Sequence, residues 1–96
     1  MDWYHLTLGD ADVATGKASQ LKAAFEKAFA AAGGPRKMAL FQREREDGGL
    51  DLFFTPECGT HAAELLDKWE CTPCDRPSLI GLHLLVGHNE ITYYMP

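Results

Sequence analysis

The sequence predicts an α+β fold, a ferredoxin-like sandwich with the element order β-α-β-β-α-β. Three observations favour it: alternating apolar residues in the strand-like segments, two stretches with apolar residues at helical spacing, and a hairpin turn between the second and third strands. Two split βαβ units joined by a hairpin place both helices on one face of an antiparallel sheet. With 96 residues, the chain is long enough for one core, and we expect a single domain spanning residues 1–96.

The first half of the chain supplies a strand and a helix. Residues 2–8 alternate and predict a strand, whereas residues 9–16 predict a loop. Residues 16–32 predict a helix, because their apolar side chains recur at helical spacing, and the glycines that follow favour a helix end. The apolar stripe of this helix consists of Leu21, Phe25, Ala28, Phe29 and Ala32.

A hairpin follows the helix. Residues 37–45 and residues 50–54 predict the second and third strands. The sequence EDGG between them predicts a tight turn, because Asp-Gly supports two successive positive φ angles.

The second half predicts one more βαβ unit. Thr55 is the expected N-cap of a helix that begins at Pro56 and runs to about Trp69. Residues 70–78 predict a loop and residues 79–86 a fourth strand. The sequence ITYY, residues 91–94, predicts a short fifth strand at the carboxy terminus.

Composition and charge exclude some classes of function. The net charge of −5 disfavours nucleic-acid binding, which depends on Lys and Arg neutralising phosphates. Basic residues cluster locally, but acidic residues are interleaved with them, which is typical of a solvated strand edge; the cluster is Arg36, Lys37, Arg43 and Arg45. No apolar run is long enough to span a membrane, and the first ten residues lack the features of a signal peptide, so we expect a cytoplasmic protein.

Two cysteines with a CxxC spacing raise the question of metal or redox chemistry. Cys71 and Cys74 could ligate zinc, form a redox pair, or stand in an ordinary loop. Cys58 and His61 cannot join them in one zinc site if residues 56–69 are helical, because the two pairs would then be about 15 Å apart. Zinc held by Cys71 and Cys74, within one chain or across a dimer, is therefore the metal hypothesis that the spacing leaves.

A second hypothesis about thiols concerns Cys58 and His61. Cys58 falls in the first turn of the predicted second helix, where unpaired backbone N–H groups stabilise a thiolate. His61 lies three residues further on and could act as its base in a small enzyme. The alternative is that Cys58 is a small buried apolar residue, which is the commoner role of cysteine.

The sheet face opposite the helices is the main candidate for an interaction site. Strand alternation places several aromatic and histidine side chains there, and we expect solvent to reach them; the predicted face consists of Trp3, His5, Phe53, His83, Leu85 and, less directly, Phe41. If the first and last strands are neighbours, His5 and His83 would lie close together. Such a face would be covered by a second copy of the chain in a homodimer, or by the carboxy-terminal segment ITYYMP.

The sequence by itself therefore favours a binding or self-association module without catalytic activity, which uses this sheet face. A thiol-dependent zinc or redox protein that uses Cys71 and Cys74 is the first alternative, and an enzyme that uses Cys58 and His61 is the second. No cofactor other than zinc is implied, and a small-molecule ligand is not identified by any motif.

Overall fold

The computed structural model describes residues 3–34, 38–55 and 69–87. These residues form a five-stranded antiparallel sheet with two helices, which confirms the α+β class. The elements are β1 (Trp3–Leu8), α1 (Asp10–Ala14), α2 (Lys17–Ala31), β2 (Ala39–Glu44), β3 (Leu50–Thr55), β4 (Thr72–Cys74) and β5 (His83–Val86). The strands are arranged in the order β4-β1-β3-β2-β5.

The first half of the chain folds largely as its pattern predicts. The predicted helix over residues 16–32 is α2, and Leu21, Phe25 and Ala28 of its stripe are buried. Residues 9–16 are more ordered than the predicted loop, because Asp10–Ala14 form the short helix α1. Asp10 and Asp12 lie in the first turn of α1, where negative side chains interact favourably with the helix dipole.

The main core lies between α2 and the sheet. The ring of Phe25 meets that of Phe54 edge to face, with centroids 5.6 Å apart, and Tyr4 stacks on Phe54 at 5.7 Å. The inward residues of β1 and β3 are those that alternation predicts, because successive side chains of a strand point to opposite faces. The buried core residues are Leu6, Leu8, Leu21, Phe25, Ala28, Met38, Leu40, Leu52, Phe54 and Val86.

The hairpin between β2 and β3 forms where the sequence predicts it, with a different turn geometry. Gly48 has a φ of 86° and is the only residue of the turn with a positive φ, so Asp47 does not share that conformation. The Arg45 N–H donates to the Gly49 carbonyl at 2.9 Å, and the Gly48 N–H donates to the Arg45 carbonyl at 3.2 Å. These two hydrogen bonds place Arg45 opposite Gly49, directly before β3 begins.

The two edge strands differ from the prediction. Residues 72–74, predicted as part of a loop, form β4 and pair with β1, so that Cys74 lies opposite Trp3. The predicted fourth strand over residues 79–86 begins only at His83 and pairs with β2 at the other edge of the sheet. The strand order therefore differs from the predicted ferredoxin-like arrangement, which is not confirmed.

Residues 75–82 connect β4 to β5 and thus run from one edge of the sheet to the other. We call them the crossing segment. Leu79 and Leu82 of this segment pack against a second buried cluster, formed by Trp3, Ala39 and Phe41. This cluster lies on the face of the sheet opposite α2, which we call the outer face. The crossing segment therefore covers part of the outer face.

Some predicted elements lie outside the described residues. They are the helix over residues 56–69, apart from Trp69, and the strand over residues 91–94. Thr55, the expected N-cap of that helix, is the last residue of β3.

Candidate functional site

The apolar part of the predicted interaction face is not exposed. Trp3 retains 1% of its surface and Phe41 retains 3%. Their rings lie 6.0 Å apart, and Leu79 and Leu82 of the crossing segment pack against them. The expectation that these aromatic side chains face solvent is wrong, because the connection between the two edge strands passes over them.

Leu85 also departs from the prediction. Leu40 pairs with Val86 and Phe41 with Leu84, which leaves Leu85 as an extra residue in a β-bulge. Leu84 packs against the outer-face cluster and Leu85 against the α2-side core, so the side chains of β5 alternate in the opposite phase to the prediction, and His83 points to the α2 side as well. The bulge keeps Val86 on the same side as Leu85.

The predicted proximity of His5 and His83 is wrong as well. His5 lies on β1 and His83 on β5, and the strands β3 and β2 stand between them. With adjacent strands about 4.8 Å apart, β1 and β5 are separated by about 14 Å. His83 pairs with Gln42 at the far edge of the sheet. These two histidines therefore do not share a metal site within one chain.

A polar cluster occupies the part of the outer face next to the β2–β3 hairpin. Its centre is the carboxylate of Asp51, and we call it the Asp51 cluster; its members are His5, Thr7, Arg43, Arg45 and Asp51. Arg43 Nη2 donates to Asp51 Oδ2 at 3.0 Å. On the other carboxylate oxygen, Oδ1, the contacts are His5 Nε2 at 3.0 Å, the Thr7 hydroxyl at 3.3 Å and Arg45 Nη1 at 3.4 Å.

Strand register explains why these side chains meet. Asp51 lies between Thr7 on β1 and Arg43 on β2, as the directly opposite residue of each. His5 is two residues from Thr7 and therefore points to the same face. Arg45 reaches the cluster from the hairpin, where Asp47 holds its guanidinium at 3.3 Å. The Gly49 N–H donates to Asp47 at 2.9 Å and orders the turn.

Phe53 supports the cluster from the next position along β3. The His5 ring stacks on the Phe53 ring with centroids 4.7 Å apart and planes 13° from parallel. The Arg43 guanidinium lies 5.7 Å from the centroid of the same ring, within the range of a cation–π interaction. Two members of the cluster are thus positioned by an aromatic side chain as well as by Asp51.

The charges of the cluster favour an ionised Asp51. Burial raises the pKa of the Asp51 carboxyl, but hydrogen bonds from Arg43 and His5 lower it by more, so that the pKa lies below its ordinary value. The Gly49 N–H and then Arg45 lower the pKa of Asp47, and Asp47 in turn raises the pKa of Arg45. All three groups are therefore charged at neutral pH.

The Asp51 cluster presents cationic groups to solvent. The Asp51 side chain is 8% exposed, whereas those of Arg43 and Arg45 are 57% and 40% exposed. Arginine presents five N–H donors in a planar fork that matches carboxylate and phosphate oxygens. Asp51 takes one nitrogen of each guanidinium, and Asp47 contacts the other two nitrogens of Arg45. The remaining N–H groups of Arg43, supported by Arg45, can therefore bind an anion from solution.

Sequence patterns pointed only weakly to this site. Strand alternation predicts His5 and Phe53 on this face, but the interleaved charges around Arg43 and Arg45 indicate only a solvated strand edge. The signal that could have found the cluster is Asp51, an acidic residue between Leu50 and Leu52 in an apolar strand. A buried carboxylate requires hydrogen-bonded or charged partners. Arg36 and Lys37 lie outside the described residues.

Cys71 and Cys74 lie near the β4 edge and face different surroundings. Cys71 packs against the α2-side core, and Cys74 packs against the cluster around Trp3. Burial raises the pKa of the Cys71 thiol to about 11, and burial followed by the charge of Asp75 raises that of Cys74. Neither environment favours the thiolate that zinc binding and thiol exchange require.

The other predicted site residues are Cys58 and His61. Both lie outside the described residues, so their pairing stays a prediction.

Among residues 3–34, 38–55 and 69–87, no three His, Cys, Asp or Glu side chains are grouped as metal ligands. In the same part of the chain, no helix is both long and apolar enough to cross a membrane.

Comparison with known proteins identifies no family or function. No protein-family model, no curated protein and no solved structure was found to match the chain.

Proposed function

We propose that this protein is a non-catalytic binding module that takes a small anionic ligand at the Asp51 cluster. The observation that carries the proposal is the buried carboxylate of Asp51, which holds two guanidinium groups whose outer surfaces remain exposed. The ligand would accept hydrogen bonds from Arg43 and Arg45, while Asp51 keeps both in place, together with Phe53 at Arg43 and Asp47 at Arg45.

Preorganisation is the physical reason for this proposal. A free arginine side chain loses about 2 kcal/mol of rotamer entropy when a ligand immobilises it. Here Arg43 already contacts Asp51 and the Phe53 ring, and Arg45 contacts both Asp51 and Asp47. Part of that entropy is therefore lost on folding, before the ligand binds.

The surrounding charges favour a small anion over a polyanion. Glu44, Glu46 and Asp47 lie within or beside the same hairpin, and the whole chain carries a net charge of −5. A nucleic acid would extend over these carboxylates and be repelled by them. A single phosphate or carboxylate group is small enough to contact the guanidinium groups from the side of Arg43, away from the Asp47 carboxylate on Arg45.

The test is titration of the protein with inorganic phosphate, followed by NMR of backbone amides. We expect the shifts to concentrate at residues 43–51 and at His5. Substitution Arg43→Gln should weaken binding about tenfold, which corresponds to about 1.4 kcal/mol.

The matched control for this test is Lys22→Gln. Lys22 is an exposed cation of α2, in an ion pair with Glu26, and the substitution removes the same charge at a distance from the cluster. Equal weakening by the two substitutions would show that phosphate responds only to net charge, which would contradict the proposal.

Self-association is a second candidate, and one observation favours it. Ile80 of the crossing segment is 89% exposed, and it is the one large apolar side chain that is exposed among the described residues. A homodimer that buries Ile80 would use the covered outer face, not an open sheet. Sedimentation of wild-type protein and Ile80→Ser tests this: a dimer that the substitution converts to a monomer supports it, and a wild-type monomer contradicts it.

We also propose that the chain is a ferredoxin-like sandwich extended by one strand. In support, a helix follows β1, a hairpin joins β2 to β3, and both neighbours of β1 are antiparallel to it. In this interpretation, β5 is an addition to the edge at β2. An experimental structure with a helix over residues 56–69 on the α2 side of the sheet would support this arrangement.

A further inference from the structure

A groove lies beside the Asp51 cluster, at the edge of the sheet where β5 begins. Its volume is about 480 Å³, and it is lined by Gln42, Arg43, Glu44, Gly81 and His83. Small-molecule sites in proteins commonly have volumes of roughly 300–1,000 Å³. Arg43 lines this groove and also contacts Asp51, so one residue belongs to both features.

Strand pairing explains why the groove exists. β5 pairs with β2 only at Leu40, Phe41 and Gln42. Arg43 and Glu44 continue β2 past the beginning of β5, and β5 supplies no partner to them. Gly81, in the turn that precedes β5, closes the other side and has no atom within 4 Å of the position that a Cβ would take.

The groove is lined by polar side chains that include both hydrogen-bond donors and acceptors. Gln42 offers an amide with donors and acceptors, Glu44 a carboxylate that accepts, and His83 a ring that can do either. An apolar ligand would leave these groups without partners, which is unfavourable. Hydroxyl groups suit them, because a hydroxyl both donates to a carboxylate and accepts from an amide or imidazole.

We infer that the ligand of this protein is a hydroxylated small molecule with one anionic group, of the class of sugar phosphates and sugar acids. The inference rests on the proposed function, because it assigns the anionic group to Arg43 and Arg45. The hydroxylated body lies in the groove, against Gln42, Glu44 and His83. Arg43 points to the outer face and its neighbours Gln42 and Glu44 to the α2 side, so the groove wraps around the edge of the sheet and Arg43 joins the two parts of the site there.

The experiment compares four probes by calorimetry on the full chain: inorganic phosphate, glucose, glucose 6-phosphate and gluconate. We expect glucose 6-phosphate or gluconate to bind at least about tenfold more tightly than inorganic phosphate, and glucose to bind most weakly. Preference for the first identifies the anion as a phosphate, and preference for the second identifies it as a carboxylate.

Gly81→Asn supplies the decisive variant. Gly81 has a φ of 84°, which asparagine tolerates better than most residues, and the new side chain would occupy open space at a residue that lines the groove. The matched control is Gly33→Asn, because Gly33 has a φ of 78° and is also free of neighbours within 4 Å at its Cβ position. We expect Gly81→Asn to abolish the preference over phosphate and Gly33→Asn to preserve it.

The outcomes separate this inference from the proposed function. Equal affinities for inorganic phosphate, glucose 6-phosphate and gluconate would overturn the inference and leave the anion site standing. A preference that survives Gly81→Asn would also overturn it, since the groove would then not hold the body of the ligand. Absence of binding by all anionic probes would overturn both.

Discussion

Cys71 and Cys74 pack on opposite faces of the same sheet, although only two residues separate them. Cys74 lies in β4 opposite Trp3 and contacts the outer-face cluster, whereas Cys71 contacts the core beneath α2. The cause is the alternation of side chains in extended backbone, in which residues an odd number of positions apart point to opposite sides. Cys71 stands directly before β4 and Cys74 is its last residue, so a CxxC spacing that runs into a strand separates the two thiols that the same spacing brings together in a turn.

This separation predicts thiols that react slowly and do not pair. We use the Cys58→Ser background, so that only Cys71 and Cys74 remain of the three cysteines. At pH 7.5, the reaction of the folded protein with a chromogenic disulfide should be at least about tenfold slower than that of the unfolded protein, because burial raises both thiol pKa values.

Treatment with a mild oxidant provides the second measurement on the same variant. Mass spectrometry should show no loss of two hydrogens from the folded chain. A Cys71–Cys74 disulfide formed without unfolding, or zinc that copurifies with the protein and is lost in Cys71→Ser, would contradict the arrangement and restore the metal and redox hypotheses.

Asp51 should make stability depend on pH at the acid end. Its folded-state pKa is lowered, so as the pH falls the unfolded chain takes up a proton before the folded chain does. The stabilisation is complete above about pH 4, the ordinary range of the carboxyl, and is lost as the pH falls through the folded-state pKa. Urea unfolding of wild type and Asp51→Asn between pH 7 and pH 2.5 measures it.

At neutral pH, we expect Asp51→Asn to lower the free energy of unfolding by about 1–3 kcal/mol, because Arg43 loses its charged partner. The difference between the two proteins should shrink below about pH 4. Asp12→Asn is the control, since Asp12 pairs with Lys17 at an exposed position. A constant difference across the whole pH range would show that the charge of Asp51 does not stabilise the fold.

Gly49 should tolerate no side chain, for reasons of space and not of φ. A Cβ at Gly49 would lie 2.5 Å from the carbonyl oxygen of Leu8, and Gly49 also holds Asp47 through its N–H. We expect Gly49→Ala to cost about 1–3 kcal/mol of unfolding free energy, the usual effect of overpacking.

The control for Gly49→Ala is Gly9→Ala. Gly9 has a φ of −72° and open space where the Cβ would stand. Its substitution should change the free energy of unfolding by less than about 1 kcal/mol. Similar effects of the two substitutions, measured by thermal unfolding, would mean that the contact with Leu8 does not limit position 49.

The crossing segment should control the environment of Trp3. In a Trp69→Phe background, the fluorescence of the protein comes from Trp3 alone, since the chain has two tryptophans. Replacing Leu79 and Leu82 by serine should shift the emission to longer wavelength and increase quenching by acrylamide, because these side chains cover Trp3. Unchanged emission in a folded variant would show that another part of the chain covers it.

The elements with local signals could be predicted from the amino-acid pattern. Alternation identified β1 and β3 and assigned His5 and Phe53 to the outer face, and helical spacing identified α2 with its buried stripe. The Asp-Gly pair located the hairpin. Each of these relations joins residues within a few positions of one another, so the sequence pattern contains it directly.

The edges of the sheet depend on long-range pairing that local patterns do not predict. Residues 72–74 pair with β1, His83–Val86 pair with β2, and the side chains of β5 alternate in the opposite phase to the prediction. Because these pairings place β4 and β5 at opposite edges of the sheet, the crossing segment passes over the outer face and covers Trp3. The Asp51 cluster likewise unites residues up to 46 positions apart. The free energy of such long-range pairing depends on the whole folded chain, and no short sequence pattern records it.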